Sequence, residues 1–116
     1  LSLVGLTPFA GGRDEAWCVL KGAASDQGVT LYRHLPDVTA GMHHVGVEVK
    51  DDADLDRALK LMPGAGIALE REIDHPARRA VTVRDPDGIR LQFYVNRAWR
   101  PQVLAGLDER DALYLL

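Results

Sequence analysis

Short runs of alternating polar and apolar residues fill the first third of the chain and predict three strands. The first run extends from Leu1 to Phe9 and ends before Gly11-Gly12, a turn signal. Two further runs, Ala16 to Leu20 and Val29 to Arg33, have the apolar content of short strands and flank a polar turn. The segment from His34 to Gly41 contains a proline and reads as a connector. This part of the chain therefore predicts β-β-β.

The second half begins with a strand and a helix. Valine occupies alternate positions from Val45 to Val49, which is the period of a half-buried strand. Carboxylates from Asp51 to Asp54 then provide an N-cap and favour the positive end of a helix dipole. Apolar residues at helical spacing follow from Leu55 to Met62, and Pro63-Gly64 ends the predicted helix. Three further strands are predicted at Ala68–Ile73, Arg79–Arg84 and Ile89–Val95. Pro101 to Leu116 is predicted to be a helical tail whose apolar end docks on the fold or on a second subunit.

The element order of the second half, β-α-β-β-β, contains the β-β-β order of the first. Residues 25–32 (SDQGVTLY) align without a gap with residues 85–92 (DPDGIRLQ), which indicates an internal duplication. Since the first residue is Leu1 and not Met, we expect the first unit to lack its opening strand and helix in this chain. The predicted organisation is residues 1–34 as the last three strands of the first unit, 35–41 as connector, 42–97 as the second unit, and 98–116 as tail.

Composition narrows the possible functions. The 116 residues are 47% hydrophobic and have a formal net charge of −3 without a basic block, which argues against a nucleic-acid partner. No apolar run approaches the roughly 18 residues that a membrane-spanning helix needs. The single cysteine, Cys18, excludes an intrachain disulfide and favours the cytoplasm. We therefore expect a soluble cytoplasmic protein with a small-molecule partner.

Two segments of the second unit follow a pattern known from other proteins. Met42–Val49 (MHHVGVEV) and Asp85–Tyr94 (DPDGIRLQFY) match the opening strand and the closing turn and strand of one family module. With these segments the chain resembles the glyoxalase/bleomycin-resistance/extradiol-dioxygenase superfamily, also called the vicinal oxygen chelate fold. The resemblance implies an α+β fold in which two βαβββ modules pair and their sheets curl into a cup.

The resemblance also implies a divalent metal at the floor of the cup, with Fe or Mn expected first and Ni or Zn as alternatives. His44 matches the family's His ligand, and Gln92 stands where the family commonly has a carboxylate ligand. Strand alternation supports this placement. It predicts that the valines at positions 45, 47 and 49 face the helix, so that His44 and Glu48 face the cup. Gln92 and Tyr94 share the cup side of their own strand. We expect His44 and Gln92 to bind metal, and Glu48 and Tyr94 to bind substrate.

Three more positions are compared with the ring-cleaving members. His75 lies near the place where those enzymes have an acid/base His, and an imidazole pKa near neutrality would suit proton transfer. Thr82 stands on the cup side where they usually have Tyr, and its hydroxyl is a poor acid. Tyr32 corresponds to Gln92 in the first repeat. The resemblance therefore implies a catalytic role for His75 and substrate binding by Thr82 and Tyr32.

Each of these residues also has a structural interpretation. The His43-His44 pair could lie at a strand end with one ring solvated and the other hydrogen-bonded within the sheet. His75 could be an ordinary loop residue beside Pro76. Arg78-Arg79 could clamp a substrate carboxylate or remain solvated, and Cys18 fits a small core residue better than a nucleophile.

Two functions follow from the resemblance. One is a metal-dependent oxidoreductase similar to extradiol dioxygenases or glyoxalases, acting on a small aromatic or oxo compound. The alternative is a non-catalytic small-molecule-binding domain of the same fold, either of the resistance type or a metal-free partner of a dioxygenase. A purely structural dimerisation unit is the third possibility, which the polar cup side disfavours. Sheet edges left unpaired by the missing elements predict a homodimer or a further stretch of chain.

Overall fold

The computed structural model describes residues 6–12, 16–23, 28–33, 35–37 and 41–116 of the chain. Within these ranges the strands form one three-stranded and one four-stranded sheet, and three α-helices accompany them. None of the helices in the described ranges has the length and apolar character to span a membrane. The architecture is α+β, as the sequence predicts.

The three-stranded sheet is antiparallel and contains β1 (Thr7–Gly11), β2 (Trp17–Lys21) and β3 (Val29–Tyr32) in that spatial order. The predictions for β2 and β3 are confirmed to within one residue. β1 begins later than the predicted strand from Leu1 to Phe9, of which residues 1–5 lie outside the described ranges. The polar turn of the repeat, residues 25–27, also lies outside them.

The second half forms the predicted β-α-β-β-β unit. Its elements are β4 (Val45–Glu48), α1 (Asp52–Leu61), β5 (Ala68–His75), β6 (Arg78–Arg84) and β7 (Arg90–Asn96). The spatial order is β4-β7-β6-β5, with β4 parallel to β7 and the other neighbours antiparallel. The closing strand β7 therefore lies between the opening strand β4 and β6, so residues of β4 and β7 are direct neighbours.

Helix α1 begins and ends at the predicted signals. Asp51 is its N-cap, and the Asp51 carboxylate accepts a hydrogen bond from the Asp54 main-chain N–H at 2.8 Å. After the helix, Pro63–Ala65 form one 3₁₀ turn that ends at Gly66 with φ of 75°. The helix packs Leu55 against the valines of β6, and this apolar layer covers one face of the four-stranded sheet.

The valines of β4 are less buried than their alternation predicts. Val45 and Val47 are 44% and 42% exposed, although alternation predicts that they pack under the helix. The reason is the strand order: β4 is an edge strand, and α1 packs over the central strands β6 and β7, with Leu91 and Phe93 in its contact layer. Alternation therefore predicted more burial for these two valines than the structure shows.

The tail forms two helices, α2 (Pro101–Leu104) and α3 (Glu109–Leu115), instead of one continuous helix. The Asp108 side chain accepts from the Asp111 N–H at 2.8 Å and starts α3 as an N-cap. Both helices pack between the two sheets, and Leu104 and Leu115 belong to the same buried cluster as β2 and β6 residues. Of the two predicted docking partners for the tail, the structure therefore shows the fold itself.

Candidate functional site

A cavity of about 660 Å³ lies between the edge strand β3 and residues 41–46, which lead into β4. Its walls are largely apolar and include Leu31, Leu35, Met42 and Leu113. The polar residues His43, His44, Gln92, Tyr32 and Tyr94 line the same cavity. A volume of this size, with apolar walls and a few polar groups, is typical of a site for a small organic molecule.

Residues of β4 and β7 form the floor of the cavity, among them Gly46 and Gln92. Thr82, Gln92 and Gly46 are register neighbours on β6, β7 and β4. A Cβ added to Gly46 would lie 3.3 Å from Tyr94 Cε1 and 3.7 Å from Gln92 Oε1, so this glycine makes room for both side chains. His44 precedes Gly46 by two residues and lies on the same face of the strand. His44, Gly46, Gln92 and Tyr94 all line this cavity.

Gln92 is fully buried, and within the described ranges only one end of its side-chain amide has a hydrogen-bond partner. Its Nε2 donates to the main-chain carbonyl of Tyr114 in α3 at 3.0 Å. Its Oε1 has no hydrogen-bond partner within the described ranges, and the same holds for the hydroxyl oxygen of its register neighbour Thr82. An unpaired buried amide oxygen costs free energy, of the order of 1–3 kcal/mol. Gln92 therefore offers an acceptor to a ligand that reaches the cavity floor.

The side chains of His43 and His44 contact each other just before the start of β4. Their Nδ1 atoms lie 2.8 Å apart, so one ring donates a hydrogen bond to the other. Burial is the largest cause, and the neighbouring His43 the second, of a fall in the pKa of His44 from 6.5 to about 4. Burial, followed by the charge of Arg90, also lowers the pKa of His43. Both rings are therefore neutral at pH 7. One N–H of the pair is used in the bond between the rings, and His44 also has a hydrogen bond with the main chain of Leu116.

Arg78 is buried against Tyr94 of the cavity, whereas the sequence left open whether Arg78-Arg79 clamps a substrate carboxylate or remains solvated. Its guanidinium lies 3.7 Å from the ring centre of Tyr94 and 3.8 Å from that of Trp99. It donates to Asn96 Oδ1 at 2.8 Å and to the Leu115 carbonyl at 3.1 Å. Burial lowers the pKa of Arg78 to about 10, so the group stays charged at pH 7. A period-two count back from Thr82 puts Arg78 on the cup side and could have identified it.

Helix α3 covers the part of the cup face that lies deepest. The carbonyls of Tyr114 and Leu115 accept from Gln92 and Arg78, as described above. At the side of the helix, Arg71 of β5 donates to Asp111 at 2.5 Å and lies over the Tyr114 ring. Helix α3 therefore covers the sheet over β5 and β6, and the cavity stays open along β3 and β4.

The structure brings four of the predicted site residues to the cavity: Tyr32, His44, Gln92 and Tyr94. Burial raises the pKa of the Tyr32 phenol above its usual value, so the hydroxyl is protonated at pH 7. Thr82 is buried under the tail and Glu48 is exposed on β4, and neither is among the lining residues.

His75 lies at the far end of the sheet from this cavity. It is the last residue of β5, and its Nδ1 accepts from the Ala77 N–H at 3.0 Å across the tight β5–β6 connection. In the sheet register His75 pairs with Arg78, which pairs with Asn96, four residues beyond Gln92. At about 3.3 Å per residue, that separation is roughly 13 Å along the strand. His75 is not among the described residues that line the cavity, and its catalytic role stays a prediction.

The donor set at the cavity does not fit the metal that the sequence reading expects. An iron site for ring cleavage takes two His and one carboxylate, whereas His44 and Gln92 supply one nitrogen and one neutral oxygen. No group of three or more His, Cys, Asp or Glu side chains within the described ranges is placed to hold a metal ion. The described cavity residues therefore do not make up an iron site of that kind.

Comparison with protein families places these elements in a known group. The family model described as Glyoxalase/Bleomycin resistance protein/Dioxygenase superfamily matches residues 7–93. Comparisons with curated proteins and with solved structures gave no significant match. The matched range is well over half of the chain and runs from β1 into β7, so it includes both sides of the cavity. The chain therefore belongs to the glyoxalase/bleomycin resistance protein/dioxygenase superfamily.

Proposed function

We propose that this chain is a small-molecule-binding member of its superfamily that holds an aromatic or similarly flat ligand without a metal. The observation that supports this most directly is the cavity of about 660 Å³, in which apolar residues alternate with polar ones and Arg33 is the charged residue among the described lining. The sequence predicts either a metal-dependent oxidoreductase or a binding domain. The donor set of the cavity favours the binding domain.

The residues of the cavity offer a ligand both apolar and polar contacts. Leu31 and Met42 offer apolar surface that a ring can bury, at roughly 25 cal/mol per Å² removed from water. The unpaired Gln92 Oε1 accepts a hydrogen bond from the ligand, and the ring nitrogen of His43 that is not bonded to His44 provides a second polar contact. Such an arrangement orients a ligand with one polar end toward the sheet and an apolar body toward β3.

A calorimetric titration with 2-naphthamide in the presence of EDTA tests the proposal. This probe is a flat, neutral aromatic compound with both a donor and an acceptor. The Gly46→Val variant adds a side chain where Tyr94 and Gln92 already approach closely, and should abolish binding. Gly22→Val is the matched control, because nothing lies within 4 Å of a Cβ at Gly22.

Binding that EDTA leaves intact, and that only the Gly46 variant loses, would support the proposal. Binding that requires added Fe²⁺ or Mn²⁺, together with stoichiometric metal uptake that His44→Ala removes, would refute it in favour of the metal-dependent oxidoreductase. Folding of both variants is checked by circular dichroism, so that a loss of binding can be assigned to the cavity.

The proposal also includes a homodimer in the cytoplasm. Within the described strands, β3 pairs only with β2 and β4 only with β7, so both have an open edge of main-chain donors and acceptors. Proteins rarely leave such edges exposed, and a second copy would cover them. The free, partly buried Cys18 is compatible with a reducing compartment. Light scattering at micromolar concentration should give twice the 12.7 kDa chain mass, and the mass of one chain would contradict the dimer.

A further inference from the structure

We infer that the cavity selects flat ligands that carry an N–H or O–H donor, because the end of helix α3 holds the Gln92 amide with its oxygen left as an unpaired acceptor. The inference rests on the proposed function, because it names the ligands that the proposed site binds. It adds that the tail of the chain, through Gln92, sets the hydrogen-bond preference of the cavity floor.

The last carbonyls of α3 are bound by side chains of the four-stranded sheet. An α-helix leaves its final four carbonyls without donors from within the helix. Tyr114 and Leu115 lie in the last turn of α3. Gln92 Nε2 donates to the Tyr114 carbonyl at 3.0 Å, and Arg78 donates to the Leu115 carbonyl at 3.1 Å. At these two positions the helix end therefore presents acceptors to the sheet.

The Tyr114 carbonyl determines which way the Gln92 amide faces. A carbonyl oxygen accepts hydrogen bonds and cannot donate one, so the amide turns its NH₂ group toward Tyr114. Rotating the amide by half a turn would place two acceptors against each other. Because Gln92 is fully buried, bulk water could not compensate the bond lost in that orientation. The orientation with Oε1 turned away from α3 is therefore the stable one.

Gln92 Oε1 has no hydrogen-bond partner in the part of the chain that the structure describes. Its register neighbour Thr82 does not provide one, because the Thr82 hydroxyl oxygen is itself unpaired there. On the other side lies Gly46, where an added Cβ would be 3.7 Å from Oε1. Gly46 and Gln92 both line the cavity, so the gap left by the missing side chain gives a ligand donor access to this oxygen.

This arrangement distinguishes ligands by hydrogen-bond type and not by shape. A ligand N–H or O–H that bonds to Oε1 satisfies a buried acceptor, whereas a methyl group at the same place leaves that acceptor unpaired. Sites that hydrogen-bond a ligand N–H or O–H reject the analogue without it more strongly than apolar pockets reject a change of one methylene. An aromatic carboxamide or phenol should therefore bind better than a ketone of the same outline.

Two naphthalene probes of nearly equal shape test the inference in calorimetric titrations at pH 7 with EDTA. They are 2-naphthamide and 2-acetylnaphthalene, in which a methyl group replaces the NH₂ group and the carbonyl acceptor is retained. We expect the amide to bind at least tenfold more tightly than the ketone. Equal or tighter binding of the ketone would overturn the inference while leaving the proposed function intact. If neither probe binds, both fail.

The Gln92→Met variant identifies the acceptor. It keeps a side chain of similar length and removes the amide oxygen, so the ratio of amide to ketone affinity should fall at least tenfold. Gln102→Met is the matched control, because Gln102 is exposed on α2, and it should keep the wild-type ratio. An unchanged ratio in Gln92→Met, or an equal fall in both variants, would contradict the assignment to Gln92. Circular dichroism checks that both variants fold, and the comparison of the two probes on the wild type needs no variant.

Discussion

Acidification from pH 7 to pH 5 should destabilise this protein through His44. The imidazole is partly buried beside His43, and burial is the main reason that its pKa falls from 6.5 to about 4. Between these two values the unfolded chain binds a proton at this residue and the folded chain does not. Each step down in pH therefore favours the unfolded state, and stability rises with pH across the same window.

The magnitude follows from the two pKa values. One pKa unit corresponds to about 1.4 kcal/mol, and the contribution of His44 is nearly complete above pH 6.5. Integration from pH 7 to pH 5 gives a loss of about 2 kcal/mol in the free energy of unfolding, and the loss continues toward pH 4. For a domain of this size that is a substantial part of the total stability.

Urea denaturation of the wild type and of His44→Gln at pH 7, 6 and 5 measures this contribution. The carboxylates titrate in both proteins, so the difference between them isolates His44, and the wild type should lose about 2 kcal/mol more than the variant. Equal losses in the wild type and His44→Gln would refute the reasoning.

Two further substitutions test other parts of the structure. Arg78→Met should lower the free energy of unfolding by roughly 1–3 kcal/mol in urea denaturation, because it leaves the buried Leu115 carbonyl without this donor; an equally or more stable variant would contradict this account of Arg78. Gly88→Ala should cost about 1 kcal/mol, because Gly88 has φ of 85°. Gly64→Ala, which also has open space for a Cβ but no positive φ, should cost nothing in the same assay, and equal effects at the two glycines would show that backbone conformation is not the cause.

Local signals were sufficient to predict the elements of the second half. Asp51 caps α1 and Pro63 follows its end, as the sequence indicates, because both signals act within a few residues of where they occur. The tail shows the limit of this reasoning. Its apolar residues predict one helix, yet Asp108 satisfies a main-chain N–H with its own side chain and starts a new helix there.

The candidate site was predictable as far as strand alternation reaches. Alternation put His44, Gln92 and Tyr94 on one face, and these residues line one cavity. It could not predict the burial of Arg78, because that depends on contacts such as the one with Leu115, which is 37 residues away. Nor could it place His75, since β5 continues to His75 itself, two residues beyond its predicted end, and holds it at the far edge of the sheet.

Amide chemical-shift mapping with 2-naphthamide in EDTA tests the central claim most directly, because it reports both binding and its location. The claim predicts saturable shifts at Leu31 and Val45, on the two sides of the cavity, and none at Leu59 of α1 on the opposite face of the sheet. Shifts that are absent until Fe²⁺ or Mn²⁺ is added, or that centre on α1, would contradict it.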